Sequence, residues 1–184
     1  MTNRRKWAVI PGLFALAATA VVLSAYSGAS TPQGRAPTQP IPFPHNTHVQ
    51  TVGLNCLYCH FSADKAPDAG IPAVSTCMGC HLVVGPTRPD GTQRAGIDTL
   101  QAYWNRNEPI PWVRIHKVPD YVQFPHMRHV NAGVTCQSCH GQIQEMGAPV
   151  HQAESLNMGW CVRCHIGESN PPFRARYDCA VCHY

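Results

Sequence analysis

The chain has 184 residues, ten of them cysteine and eleven histidine, with charged residues at only 13% and seventeen prolines beside fourteen glycines. Beyond residue 29, Ile, Leu, Val and Phe make up just under a fifth of the chain, too few to offset the ordering entropy of a self-sufficient side-chain core. The formal net charge of +4 includes Arg4, Arg5 and Lys6; with no Lys/Arg stripe interleaved with aromatics after them, a nucleic-acid surface has no support.

The N-terminal segment 1–29 reads as a membrane signal. After the three basic residues comes an uncharged run, Trp7 to Tyr26, and twenty helical residues span about 30 Å, one hydrocarbon core. Positive charge before the run predicts the N-terminus inside and the rest of the chain on the extracytoplasmic face. A cleaved secretory signal would instead use Ser27, Gly28 and Ala29 as its small-residue exit. The length of the apolar run favours a retained transmembrane helix, and both readings export the remainder of the chain. Residues 30–42 carry Pro32, Pro37, Pro40 and Pro42 and read as an extended tether.

Every cysteine falls in one motif. Cys56-Leu-Tyr-Cys59-His60, Cys77-Met-Gly-Cys80-His81, Cys136-Gln-Ser-Cys139-His140, Cys161-Val-Arg-Cys164-His165 and Cys179-Ala-Val-Cys182-His183 are five copies of C-x-x-C-H, the attachment signature of c-type haem. Two thiols at this spacing can form thioethers to the porphyrin vinyl groups, and the next histidine reaches the iron. Disulfides would not demand a histidine after every second cysteine, and zinc would want four ligands gathered per site. Five covalent haem c groups are therefore expected, with His60, His81, His140, His165 and His183 as proximal ligands. Porphyrin faces would supply the missing core, so the chain without haem should be unfolded. The haem propionates would also carry the exported part, formally +1, well to the acidic side.

Six histidines remain for five distal positions: His45, His48, His116, His126, His129 and His151. Four of them lie in a duplicated segment. Phe43-Pro-His45-Asn-Thr-His48-Val49 precedes Gly53 and the first motif, and Phe124-Pro-His126-Met-Arg-His129-Val130 precedes Gly133 and the third, the second copy being one residue shorter between Val and Gly. Residues 43–82 then form a first dihaem module. Residues 83–123 are a linker with one short helix around Thr99–Asn107, and 124–184 are a second dihaem repeat with a fifth haem appended. Two histidines three apart share one side of a helical turn yet diverge enough to reach different irons. His116 is needed as a fifth distal ligand, and His151 is spare. Met146 and Met158 compete with it, because a thioether is a normal haem ligand. Met78 and Met127 read as packing residues.

The F-x-H-x-x-H element before C-x-x-C-H resembles the class III multihaem cytochromes (cytochromes c3 and c7). That resemblance implies His45 as ligand of the haem at Cys56 and Cys59, and His126 of the haem at Cys136 and Cys139. His48 and His129 would serve other haems. The fold class expected is a multihaem cytochrome c, mostly short helices and irregular chain wrapped on five haems, with little β structure and one N-terminal transmembrane helix.

The five motifs, the two repeats, Trp112 to Val122 and the run from Met158 to His165 together resemble the pentahaem subunit of bacterial alternative complex III. That likeness implies an electron-relay subunit without chemistry of its own. It implies an integral quinol-binding subunit, an iron–sulfur subunit and a monohaem cytochrome c as partners, with electrons passing from menaquinol to a soluble acceptor. Two alternatives stand beside it: a self-sufficient single-helix multihaem quinol dehydrogenase, and a multihaem reductase. A reductase needs an open iron and would be expected to show a C-x-x-C-K variant, which this sequence lacks.

Overall fold

In the computed structural model, residues 3–26 and 32–184 are described, with side chains for 10–23 and 32–184. Helix α1, Asn3–Tyr26, has its residues 10–23 exposed throughout, among them Leu13, Phe14 and Leu16. These fourteen residues cover about 21 Å of helix. Among the described residues no helix is long and apolar enough to cross a membrane. The expected span also draws on Arg4, Arg5 and Lys6, whose side chains are not among those described, and the alternative exit at 27–29 lies outside the described residues.

From residue 32 the chain makes short helices joined by irregular backbone: α2 (Cys56–Cys59), α3 (Val74–His81), α4 (Ile97–Arg106), α5 (His126–Asn131), α6 (Gln137–His140), α7 (Met158–His165) and α8 (Cys179–Cys182). Single antiparallel bridges, Thr87 with Gln93, Val122 with His183 and Ile166 with Arg174, are the β structure among the described residues. The caps explain the brevity of the helices. Asn55 and Asn157 accept from the backbone N–H groups of Leu57 and Trp160, opening α2 and α7. Asn107, at φ 53°, ends α4, its N–H bonding the carbonyl of Trp104.

Few side chains are buried. Ile41, Met78 and Leu100 form the central cluster, with Val74, Cys77, Tyr103, Ile110 and Trp112 against it. Met78 packs as expected. The helix foreseen over 99–107 begins two residues earlier, at Ile97, and docks on α3, so part of the supposed linker supplies the main apolar cluster. A second departure concerns the Pro-rich stretch. Instead of a free tether, residues 33–42 lie along the body. Gly34 and Arg35 pair with the backbone of the fully buried Gln152 at 2.7 and 3.0 Å. Gln39 donates to the Val113 carbonyl and accepts from its N–H, both at 2.9 Å, and Ile41 is buried. Extended, proline-rich backbone makes no internal hydrogen bonds, which leaves its polar groups free for neighbouring chain.

The sequence repeat is a structural repeat. Phe43 stacks on His48 at 4.3 Å and meets His45 edge-on at 4.9 Å; Phe124 does the same to His129 at 4.5 Å and His126 at 4.9 Å. The extra residue of the first copy is absorbed by a π-helical turn over Thr47–Thr51 where the second copy has α5. The copies also interlock. Asn46 donates its N–H to the carbonyl of Met146, six residues past His140. Met127, the equivalent of Asn46, donates to Ala66, six residues past His60. Each loop after a C-x-x-C-H motif thus braces the histidine pair of the other module.

Candidate haem centres

The motifs sit on α2, α3, α6, α7 and α8 or at their ends, where one helical turn brings the two cysteines of each to the same side. All ten cysteines are free thiols. Among the described residues no three His, Cys, Asp or Glu side chains are gathered to hold a metal ion by themselves, as zinc would require.

Backbone carbonyls orient the histidines. The Nδ1 of His60 bonds the Gly70 carbonyl at 2.8 Å, that of His81 the Val84 carbonyl at 3.0 Å and that of His165 the Arg176 carbonyl at 2.6 Å. Among non-motif histidines, His48 bonds Pro44 at 2.9 Å, His129 Pro125 at 3.0 Å and His126 Pro67 at 2.7 Å, each through Nδ1 to a carbonyl. A carbonyl can only accept, so in these six rings Nδ1 donates and Nε2 is the nitrogen left to face a metal.

The rings are also spaced for an iron between them. Metal–imidazole bonds of about 2.0 Å on both sides of one ion put two axial ring centres roughly 6 Å apart. His48 and His81 are 6.2 Å apart, His129 and His165 6.1 Å, and His126 and His140 6.4 Å. His45 lies beside His60: burial first, then His60 and His48, lowers its pKa to about 4. Burial, followed by His116, His126, His60 and His45, does the same to His140, lowering it to about 4. Burial likewise lowers His129 and His116. Imidazoles held neutral in this way keep their lone pairs for coordination. The donor set and its geometry therefore fit haem.

His48 and His129 thus face the second motif of their own modules, an arrangement that sequence spacing left open. His116 is placed differently from the fifth-ligand expectation. Its ring meets His140 edge-on at 4.3 Å, too close for an iron between them, its Nε2 is buried without a partner, and His151 is its neighbour. Met146 lies between the modules, its terminal methyl close to Gly141. Met158 is 70% exposed at the start of α7.

Neighbouring thiols show which motifs adjoin. Burial pushes Cys77 up, and Cys59 beside it adds to the effect. Cys136 is raised by burial and by the Cys56 thiol within hydrogen-bonding reach. Cys139 is pushed up to about 11, by burial and then by Cys164 and Cys161, while Cys161 is raised by burial and by Cys182. Numbering the sites by motif, adjacency runs second, first, third, fourth, fifth. The two interlocked modules meet through the first and third, and the second and fifth are the ends.

Residues 122–184 match the family described as cytochrome c7 and related cytochrome c. Over 165 residues the chain is 27% identical to the multihaem cytochrome c subunit of the menaquinone reductase of Nitratidesulfovibrio vulgaris strain Hildenborough, covering 79% of this chain and 76% of that one.

Proposed function

We propose that this chain, a multihaem c-type cytochrome, is the electron-relay subunit of a membrane complex that works on menaquinone or menaquinol, built like alternative complex III. Haem c supplies one-electron chemistry at each of the five motifs. The observation that carries the reading is the axial spacing of the ring pairs, 6.2, 6.4 and 6.1 Å. Histidines on both faces leave an iron no position for substrate, which favours a relay over a reductase. The chain's own residues align the sites: the thiol neighbours order them in one unbranched file, and the carbonyls of Pro67, Gly70 and Arg176 hold the imidazoles in place.

The partners proposed are an integral quinol-binding subunit, an iron–sulfur subunit and a monohaem cytochrome c, with a soluble electron acceptor beyond them. The exposed apolar face of α1 suits a lipid anchor, the haem-bearing part lying on the extracytoplasmic side. In the direction drawn from the alternative complex III likeness, electrons enter from menaquinol. The name of the Nitratidesulfovibrio relative, a menaquinone reductase subunit, favours the opposite direction as a second reading.

Rapid-mixing absorbance tests this. In the intact membrane complex a menaquinol analogue should reduce the haems quickly, while the isolated detergent-solubilised chain should not be reduced by it. Fast reduction of the isolated chain would mean it holds its own quinol site and would overturn the relay-subunit reading. Slow reduction by menaquinol, with rapid electron delivery from the haems to menaquinone in the complex, would select the opposite direction.

A further inference from the structure

Five proximal histidines need five opposing ligands, and the placement of the six other histidines accounts for four. His45 is beside His60, His48 faces His81, His126 faces His140 and His129 faces His165. His116 abuts His140, and His151 lies beside His116. Among the described residues none of the six adjoins His183. Its ring instead stacks on Tyr121 at 5.7 Å, and its backbone bridges Val122.

The element that does approach the fifth motif is α7. The Ile166–Arg174 bridge, the bond from the Ala175 N–H to the His165 carbonyl at 3.0 Å and the bond from His165 Nδ1 to the Arg176 carbonyl at 2.6 Å tie α7 to the chain entering α8. Cys161, on α7, is the neighbour of Cys182. Met158 precedes Cys161 by three residues and shares its helix face. The Asn157 cap, which accepts from the Trp160 N–H at 2.8 Å, fixes Met158 in the first turn. An apolar thioether 70% exposed contrasts with Met78 at 2%. Met127, whose N–H bonds the Ala66 carbonyl, and Met146, packed at Gly141, lie between the modules instead.

We propose that Met158 is the sixth ligand of the haem carried by Cys179 and Cys182, opposite His183. The assignment rests on the multihaem reading. A thioether donates less charge to iron than imidazole does and raises the potential. The end of the file at the fifth motif is then the high-potential end, where electrons collect before leaving for the acceptor.

The test uses the full chain loaded with haem, its content first measured by pyridine haemochrome. The oxidised protein should show the near-infrared methionine-to-iron charge-transfer band at the intensity of one haem in five. Met158→Ala should abolish the band and leave one haem high-spin and able to bind carbon monoxide when reduced. Met158→His should abolish it while keeping every haem low-spin, with one midpoint potential shifted downward; because a ligand remains, this variant guards against misfolding. Cys179→Ser with Cys182→Ser should remove the band together with one haem. No band in the natural protein, or a band that survives either Met158 substitution, overturns the assignment. A haem content below five would instead strike at the pentahaem reading beneath it.

Discussion

Gly96 tests whether the Pro-rich segment is a tether or part of the body. The residue sits at φ +83° as the cap of α4, and a Cβ there would lie 2.7 Å from Ile41 Cγ2 and 2.9 Å from Pro42 Cδ. Gly96→Ala should therefore lose stability twice. The left-handed backbone costs about 1–2 kcal/mol with a Cβ present, and overpacking against Ile41 and the rigid Pro42 ring adds about 1–3 kcal/mol. Gly91 is the internal control, having the same φ of +83° with nothing within 4 Å of the Cβ position. Gly91→Ala should pay only the backbone part. For a domain of this size, thermal unfolding followed by far-ultraviolet circular dichroism reads each 1 kcal/mol as about 2–4 °C of Tm. The haem-loaded Gly96 variant should thus melt about 2–12 °C below the Gly91 variant. Equal melting temperatures would mean that residues 41 and 42 do not rest on α4, refuting the docked-segment reasoning.

Met78→Ala should cost about 2–5 kcal/mol, because it empties the centre of the one sizeable apolar cluster; chemical denaturation measures it, and a loss below about 1 kcal/mol would contradict that packing. Asn157→Ala should cost about 1 kcal/mol through loss of the α7 cap, checked by the same titration. His48→Ala and His129→Ala should each convert one haem to high spin, at the second and fourth motifs respectively, in electron paramagnetic resonance spectra; unchanged low-spin spectra would refute those ring pairings. Cys56→Ser with Cys59→Ser should remove the first haem from the middle of the file. Flash-induced electron transfer should then stop between the second motif and the other three, and transfer at the natural rate would refute the order.

The candidate haem motifs were legible in residue order because C-x-x-C-H is local: one helical turn places both thiols and the next residue supplies the imidazole. The repeat was legible for the same reason, down to the extra residue that appears as a π-helical turn at 47–51. Pairing of His48 with His81 and of His129 with His165 was hidden, since helical spacing says that two histidines diverge and not where each one points. His116 shows the limit of counting ligands. A tally needed it as a fifth, but only the tertiary path of residues 112–121 shows that it reaches His140 and leaves His183 to Tyr121.

Composition and motif spacing alone gave a chain with five C-x-x-C-H motifs, short of aliphatic side chains, for which cofactor faces are the expected core. Tertiary structure decided the rest: the order of the sites, the docking of residues 33–42, and the reciprocal bracing in which the Ala66 and Met146 carbonyls each receive an N–H from the opposite module. Those two bonds join residues 61 and 100 positions apart through backbone groups that every residue type but proline possesses, so no residue pattern could announce them.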